Sequence, residues 1–469
     1  MASSRRSSRR DAGDVATAIA TSLDGLGEPR GPYAVALSGG RDSVALLDAV
    51  VDATRERRRA VVALHVHHGL SPNADAWSAH CAALCATYAI PFVERRVTVP
   101  RASRASIEAS ARAVRYDALA AAAADASAAA VLLAHHRDDQ AETLLLQLLR
   151  GAGPHGLAAM PKARVDARGI VWVRPLIDTP RAAVEAYVAA RGLRYVDDES
   201  NADARYVRNA LRHRVAPSLA ALAPGYSATL ARAAELQADA ARLADDLASA
   251  DACGAIDENG ALDRAVLAAL PDHRARNLLR WYLRQHGLPP PSHARVAAML
   301  AQLAHARADS RVRLAHAGVE IGVHRERVVI HTTAPPAYER SWDGESVLAL
   351  PHGRLAFAAT DDGGLDRSRL CTAPLLVRSR RGGERLTLDA GRPRRALKDM
   401  LRECGLAPWD RAALPLLFCG DALAAVPGLG VDVAFRAEPG REGVALVWSP
   451  NDLRRARATP QVADRGPFG

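Results

Sequence analysis

Short apolar runs alternate with longer helical patterns through the first two hundred residues. A continuous apolar run predicts a buried strand at residues 33–37, and further strands are predicted at 61–66, 92–97, 131–134 and 170–173. Helical patterns lie between them at residues 77–88, 106–124 and 140–150, and Thr179-Pro180 opens a further helix. This alternation predicts an α/β fold with a doubly wound parallel sheet and helices on both faces.

The pattern changes near residue 217. Alanine, leucine and arginine then recur at helical spacing, which predicts a mainly helical domain; the β-rich stretch 312–330 either finishes that domain or begins the next. Strand patterns at 375–379 and 414–418, with a basic helix near 394–404, predict a small α+β domain. We therefore expect a disordered basic tail (1–14), an α/β domain (15–217), a helical domain (218–335), an α+β domain (336–450) and a polar tail (451–469).

The positive charge of the chain is almost entirely arginine. The net charge is +10, and only Lys162 and Lys398 among the 62 basic residues are lysines. Arginine binds phosphate bidentately and stacks on bases, so this balance favours a polyanionic partner. An arginine-biased, alanine-rich genome would produce the same skew without any such partner.

Neither a membrane nor an oxidising compartment is indicated. The longest apolar stretch, residues 119–134, is mostly alanine and contains Asp125, so it does not predict a membrane span. The serine- and arginine-rich N-terminus has no apolar run behind it, unlike a secretory signal. The six cysteines form no CxxC pair, so we expect no zinc site, no disulfide framework and a cytoplasmic location.

The sharpest local feature is the sequence Ser38-Gly39-Gly40-Arg41-Asp42-Ser43, between a predicted strand and a predicted helix. The glycines permit close backbone approach, and the N–H groups that open the helix form an anion site suited to phosphate. The two serines add hydroxyl donors, and Asp42 predicts a Mg²⁺ ion that bridges to the nucleotide. No GxxxxGK[ST] motif is present, which disfavours an ordinary P-loop NTPase.

A second cluster runs from His135 to Thr143, after the apolar run 131–134. It therefore lies where a parallel strand ends and a helix begins, the edge at which doubly wound sheets bind ligands. Its functional interpretation is Mg²⁺ binding by a carboxylate, with a histidine near the reacting phosphate. Capping of the helix by the two aspartates explains the same residues equally well.

These motifs resemble those of a known family. SGGRDS is similar to the SGGxDS signature of PP-loop ATP pyrophosphatases, and residues 134–143 with 148–157 resemble the AHHxDDQxET…RGxGxxGL stretch of tRNA(Ile)-lysidine synthases. The elements at 65–70 (HVHHGL), 111–116 (ARAVRY) and 198–212 also match that family, in its order and spacing, across roughly residues 31–217. Segments at 378–385, 397–398, 408–411 and 414–416 resemble its C-terminal domain.

The resemblance implies an ATP-dependent ligase that joins free L-lysine to C2 of the wobble cytidine of tRNA(Ile) with a CAU anticodon. ATP adenylates the C2 oxygen and releases pyrophosphate; the lysine amine then displaces AMP, and the tRNA is charged with isoleucine instead of methionine. The implied cofactors are ATP and Mg²⁺, and both later domains would bind tRNA. We expect a monomer or a homodimer.

The resemblance also assigns roles to particular residues. Residues 38–43 would hold the leaving pyrophosphate, with Mg²⁺ on Asp42 and on Asp138 or Asp139. Arg112 and His136 would stabilise charge on the α-phosphate, so the catalytic candidates are Asp42, Arg112, His136 and Asp138. Arg205 and Arg208 would hold tRNA phosphate or the adenylated base, and Glu142 would attract the lysine ammonium.

Two alternatives stay open at this point. One is another PP-loop tRNA-modifying enzyme, such as a 2-thiolation enzyme, although such enzymes generally carry a catalytic cysteine pair or CxxC clusters. The other is a non-catalytic tRNA-binding protein that keeps a vestigial nucleotide fold.

Overall fold

Five of the apolar runs pair into a parallel sheet, and a hairpin adds an antiparallel edge strand. The structure is a computed structural model that describes residues 2–27, 30–55, 57–69, 71–99, 104–197, 207–305, 312–333, 336–361, 364–370, 373–438 and 440–451. The strands are β1 (Tyr33–Ala36), β2 (Val61–His67), β3 (Phe92–Arg96), β4 (Ala130–Leu132), β5 (Ala163–Val165) and β6 (Val171–Val173). Their order is β3-β2-β1-β4-β6-β5, with β5 antiparallel to β6.

Helices cover both faces of this sheet, because successive strand residues point to opposite sides. The helices are α1 (Ala2–Gly25), α2 (Arg41–Arg55), α3 (Ala74–Tyr88), α4 (Arg104–Asp125), α5 (Arg137–Leu149), α6 (Pro154–Leu157) and α7 (Arg181–Arg191). Val35 joins the core formed with α1, α2, α3 and α7. Its neighbour Ala34 joins the core formed with α4. The predicted doubly wound α/β fold is confirmed.

Helix α1 begins at Ala2, within the segment 1–14 for which we expected a disordered basic tail. Val15, Ile19 and Leu23 recur every four residues on its buried face and attach the helix to the core. The segment before them consists mainly of arginine, serine and alanine, and both arginine and alanine are good helix formers. A helix anchored by its apolar half therefore continues into the basic half.

The strand order places a ligand crevice between β1 and β4. From β1 the sheet grows to β2 and β3 on one side, whereas β4 and β6 lie on the other. At such a switch point the connections after neighbouring parallel strands diverge and leave an opening at their carboxyl ends. The loop after β1 begins at Leu37, and the loop after β4 begins at Leu133. The two motifs singled out above follow these two strands.

From residue 207 to residue 252 the chain is mainly helical. The elements are α8 (Val207–Ala210), a π-helical turn (Leu211–Val215), α9 (Ala216–Leu222) and α10 (Tyr226–Ala252). Two compact units divide the chain, with the border between Leu243 and Ala244 inside α10. The expected domain borders near residues 217 and 335 therefore do not coincide with the border between the two compact units, because both later regions share the second unit.

The first region of the second unit contains a sheet and three helices. The elements are β7 (Leu262–Asp263), α11 (Arg264–Ala269), α12 (Asp272–Gln285), α13 (His293–His305), β8 (Arg313–His316), β9 (Val319–His324) and β10 (Arg327–Thr332). The sheet order is β7-β10-β9-β8. Leu278, Leu283, Val296 and Ile321 belong to one core that joins these helices to the sheet. The β-rich stretch 312–330 therefore completes the helical region.

The last region is mostly β-structure. Its strands are β11 (Glu339–Ser341), β12 (Val347–Leu350), β13 (Gly353–Thr360), β14 (Leu375–Arg378), β15 (Arg385–Leu386), β16 (Arg395–Ala396), β17 (Leu416–Cys419), β18 (Ala422–Val426), β19 (Gly430–Val431) and β20 (Gly443–Pro450). Its helices are α14 (Arg367–Leu370), α15 (Leu397–Glu403) and α16 (Pro408–Ala413). Leu417 packs toward the three-stranded sheet β12-β13-β20, and Leu416 packs toward α15. None of the described helices is long and apolar enough to cross a membrane.

Candidate active site

The phosphate loop opens onto a cavity of about 470 Å³ at the carboxyl ends of the parallel strands. Ser38, Gly40 and Asp42 line the cavity from the β1 side, and His135 and Asp139 line it from the β4 side. The loop between β1 and α2 is therefore open to this cavity and is not filled by side chains. The two sequence motifs meet across one space large enough for a nucleotide.

Hydrogen bonds hold the loop in shape. The Ser38 N–H donates to Ser43 Oγ at 3.2 Å, and the Ser43 hydroxyl donates to the Gly40 carbonyl at 2.8 Å. Ser43 is buried in the first turn of α2, and its hydroxyl links the two ends of the loop by hydrogen bonds. The main-chain N–H groups at the start of α2 are left to face the cavity at the positive end of the helix.

Gly39 must be glycine on two counts. Its φ is +87°, in the left-handed region. A Cβ at this position would lie 3.0 Å from both Cys81 Sγ and the Cγ2 atom of Val196. The backbone of Val196 also donates to the Gly39 carbonyl at 3.0 Å, so the loop is packed against α3 and the segment after α7.

Asp42 is the acidic residue of the loop that faces the cavity. Its Oδ2 lies 3.7 Å from His136 Nε2, and its Oδ1 lies 3.0 Å from Arg41 Nε. Arg41 also forms an ion pair with Glu185 of α7 at 2.6 Å. The side chain at the variable position of the motif is therefore held in place in this chain. One oxygen of Asp42 therefore points toward the β4 motif, as the sequence prediction requires.

His136 forms the N-cap of α5, whereas the aspartates were expected to do so. The Asp139 N–H donates to His136 Nδ1 at 3.3 Å, and the His136 N–H donates to Asp139 Oδ2 at 3.1 Å. This reciprocal pair is a capping box. Asp138 lies inside the first turn, and its Oδ2 accepts the Arg181 N–H at 2.8 Å. The helix starts at Arg137, three residues before the predicted start at residue 140, which changes the position of each acid.

Two arginines neutralise the acids of α5. Arg208 and Arg212 each donate to Asp139 Oδ1 at 3.1 Å, and Arg212 Nε lies 2.7 Å from Glu142 Oε1. Burial by itself would raise the pKa of Asp139, but His136 and Arg208 outweigh it and hold that pKa well below its usual range. Burial likewise disfavours the charged form of Arg212, yet Glu142 raises its pKa. Asp139 and Arg212 are therefore both ionised near neutral pH.

Arg212 was not among the predicted site residues, although it lines the cavity. It stands four residues after Arg208, so both side chains share one helical face. That spacing is visible in the sequence and could have identified it. Arg205, which we predicted to hold tRNA, lies outside the described residues.

Of the two arginines in the ARAVRY element, Arg115 rather than Arg112 lines the cavity. Arg112 instead lies over the ring of Tyr116, with Cζ 5.4 Å from the ring centroid. Tyr116 itself lines the cavity. The predicted role of Arg112 on the α-phosphate thus stays a prediction, and Arg115 is nearer to the nucleotide space.

Two further lining residues were missed, His65 and Trp77. His65 Nδ1 lies 2.8 Å from the Leu37 carbonyl, and because a carbonyl only accepts, Nδ1 carries the proton. Burial lowers the pKa of His65, so the ring is neutral at physiological pH and its Nε2 is an acceptor. The HVHHGL element at the end of β2 was the available signal for this residue.

The site offers Mg²⁺ few protein ligands. Among the described residues, no group of three histidine, cysteine or acidic side chains is arranged to hold a metal ion. Asp138 is occupied by a backbone N–H, and Asp139 by two arginines. Mg²⁺ is commonly held by one or two carboxylates together with substrate phosphates, and Asp42 fits that pattern.

Comparison with known proteins agrees with this geometry. Family models match a PP-loop domain over residues 15–219, a TilS substrate binding domain over 262–329 and a TilS substrate C-terminal domain over 375–448. The fold and the loop thus define a PP-loop protein.

Its relatives specify the family further. The chain is 39% identical over 428 residues to the tRNA(Ile)-lysidine synthase of Nitrosomonas europaea, covering 90% of this chain and 92% of the relative. It is 42% identical over 442 residues to that of Burkholderia pseudomallei, covering 86% and 90%. It is 44% identical over 419 residues to that of Ralstonia nicotianae, covering 85% and 89%. The chain belongs to the tRNA(Ile)-lysidine synthase family.

Proposed function

We propose that this protein ligates lysine to C2 of the wobble cytidine of tRNA(Ile) with a CAU anticodon, at the expense of ATP. The observation that carries the proposal is the cavity that is lined both by the phosphate loop and by His135 and Asp139 of the second motif. Family membership supports the choice of tRNA and of lysine. The products are lysidine in the tRNA, AMP and pyrophosphate.

In the first step the cytosine C2 oxygen attacks the α-phosphorus of ATP, and the bond to pyrophosphate breaks. The amides at the start of α2, with Ser38, would bind the β- and γ-phosphates, since helix N-termini favour anions. Mg²⁺ on Asp42, when bound, would neutralise part of the pyrophosphate charge. Arg115, which lines the cavity, and His136, whose Nε2 lies 3.7 Å from Asp42 Oδ2, would stabilise charge that develops at the α-phosphate.

In the second step the lysine amine attacks C2, and AMP leaves with the C2 oxygen. A free amine is required, and the acids of α5 are the candidates to attract the ammonium form before it loses a proton. Glu142 is bound on both oxygens by Arg208 and Arg212. A lysine ammonium would therefore have to displace one arginine, which would couple lysine binding to movement of α8 and the π-helical turn.

The cysteines of the first unit do not suit the thiolation alternative. Cys81 lies beside the phosphate loop but is buried, and burial raises the pKa of its thiol to about 12. Cys85 is also buried, with its pKa raised to about 11. Neither thiol is ionised at neutral pH, whereas a sulfur-transferring cysteine must react as the thiolate.

The test is incorporation of radiolabelled lysine into unmodified tRNA(Ile) in the presence of ATP and Mg²⁺. We expect label in the RNA, with AMP and pyrophosphate formed in equal amounts. A tRNA-binding protein without activity would shift the tRNA on a gel without labelling it, and a thiolation enzyme would also leave it unlabelled. Either result would refute the proposed function.

A further inference from the structure

A small basic surface adjoins the nucleotide cavity. It consists of Arg112, Arg115 and Tyr116 of α4 together with Arg164 of β5, and we call it the arginine–tyrosine surface. Arg164 Cζ lies 5.5 Å from the ring centroid of Tyr116 and 5.5 Å from that of Trp172. Arg112 Cζ lies 5.4 Å from the Tyr116 centroid. Two guanidinium groups therefore stack on one aromatic ring.

The arginines of this surface differ from most others in the unit. Among the residues that the structure describes, Arg112, Arg115 and Arg164 form no ion pair with a carboxylate. Arg168, in the same hairpin as Arg164, pairs with Asp117 at 2.6 Å. Arg208 and Arg212 pair with the acids of α5. The surface thus carries three positive charges without neighbouring compensation, which creates a local positive potential.

The surface is continuous with the site. Arg115 and Tyr116 line the cavity that also contains Ser38 and Asp42. Arg164 is exposed on the adjoining edge of the sheet, and its neighbour Val165 is 67% exposed. A polynucleotide whose target base enters the cavity would therefore have flanking phosphates close to this surface.

The stacking fixes the orientation of the Arg164 guanidinium and leaves its N–H groups available as hydrogen-bond donors. An arginine held over aromatic rings keeps N–H donors in its plane, and these fit phosphate oxygens bidentately. We propose that Arg164, at the outer end of the arginine–tyrosine surface, binds the phosphodiester backbone of the tRNA next to the modified nucleotide. This proposal rests on the function proposed above. The simpler alternative is that Arg164 only covers the rings of Tyr116 and Trp172.

The test compares Arg164→Met with Arg168→Met. The first variant keeps a long apolar side chain over the rings but loses the charge; the second removes a paired arginine from the same hairpin. The dissociation constant of unmodified tRNA(Ile) is measured by filter binding at several KCl concentrations without ATP. We expect about tenfold weaker binding for Arg164→Met. Its salt slope should fall by about 0.7, as for loss of one contact to single-stranded RNA, whereas Arg168→Met should stay within about twofold of wild type.

Further measurements separate the explanations. ATP affinity from calorimetry should be unchanged in Arg164→Met, since the contact belongs to RNA, and Arg164→Lys should recover most of the salt slope. Wild-type binding and slope in Arg164→Met, or an equal loss in Arg168→Met, would overturn the proposal. A lower thermal midpoint in Arg164→Met with unchanged RNA binding would identify a covering role only. Lysine incorporation by the same wild-type preparation tests the proposed function separately, because the salt slope reports RNA contact whether or not lysine is joined.

Discussion

Two clusters of carboxylates in the first unit contain the same residue types but have different roles. Asp48, in the middle of α2, accepts the hydroxyls of Tyr88 and Tyr187 at 2.6 Å each and lies 2.9 Å from Arg191 Nε. Asp139 and Glu142, on α5, are bound by Arg208 and Arg212. Asp48 and Asp139 are both buried, and both clusters join helices that are distant in sequence.

The difference lies in what else each cluster faces. The Asp48 cluster is closed, since neutral hydroxyls and one arginine satisfy both oxygens among α2, α3 and α7. In the α5 cluster, by contrast, Asp139 and Arg212 line the nucleotide cavity. Ionic groups beside such a cavity can exchange partners when a charged substrate arrives, whereas a closed cluster only holds helices together. The presence of buried acids therefore does not by itself identify a catalytic site.

The largest effect is expected at Asp42, which stands at the cavity end of α2. Asp42→Asn should reduce lysine incorporation by about a thousandfold or more, because both the Mg²⁺ ligand and its charge are lost. The free energy of unfolding should change by less than about 0.5 kcal/mol, since the side chain is partly exposed. Incorporation assays and urea unfolding measure the two quantities.

Asp52→Asn, on the same helix but in the pair with Arg55 and Arg191, is the matched control for Asp42→Asn. It should keep nearly full activity. An active Asp42→Asn enzyme would remove the metal-binding role assigned to that residue.

At Asp48 the expected effect is on stability instead. Asp48→Asn leaves two tyrosine hydroxyls and Arg191 around a group that cannot accept as many hydrogen bonds. The free energy of unfolding should fall by about 3 kcal/mol, in the range for breaking a buried ion pair. The rate per folded molecule should stay within about threefold of wild type. A large loss of activity without a loss of stability would show that the two clusters do not differ as described.

Much of the site could be predicted, because both motifs directly follow apolar runs. In a doubly wound sheet the carboxyl ends of neighbouring parallel strands meet, so residues 38–43 and 135–143 were expected at one edge. The position of each side chain within the second motif was harder. A shift of three residues at the start of α5, from residue 140 to Arg137, made His136 the N-cap and placed Asp138 inside the helix.

The remaining features depend on tertiary contacts that leave no local signal. Nothing near Asp48 in the sequence indicates that Tyr187, 139 residues later, donates to it. The pairing of Glu142 with Arg208 and Arg212 likewise joins α5 to helical residues 66 and 70 positions later. Spacing could have linked the two arginines to each other but not to their acids. Long-range ion pairs of this kind are set by packing and not by periodicity.

An intermediate effect is expected at Glu142. Glu142→Gln keeps the size of the side chain but removes the charge proposed to attract the lysine ammonium. The KM for lysine should rise about tenfold, whereas ATP-dependent release of pyrophosphate with tRNA should stay within about twofold. Steady-state kinetics with varied lysine measure the first quantity, and a pyrophosphate assay the second. If both steps slowed equally, Glu142 would act on the cavity as a whole and not on lysine.

The smallest effect concerns pH and His135, which lines the cavity. Burial lowers the pKa of His135 to about 3, with Arg174 and Arg208 adding to the shift and Asp139 opposing it. Above pH 6.5 the ring is neutral in both the folded and the unfolded chain and contributes no pH dependence. Between pH 6.5 and about 3 the unfolded chain binds a proton that the folded protein does not. The free energy of unfolding must therefore fall as the pH falls.

His135→Gln should remove this part of the pH dependence. Between pH 7.5 and 5.5 wild type should lose about 1 kcal/mol more than the variant, measured by urea unfolding at each pH. Exposed His155 provides the matched control, His155→Gln, for removing an imidazole outside the cavity. Asp139, whose pKa is held well below its usual range, does not titrate between these pH values. If wild type and His135→Gln lost stability in parallel, the ring would be protonated in the folded protein, and its cavity would be more polar than the packing of His135 indicates.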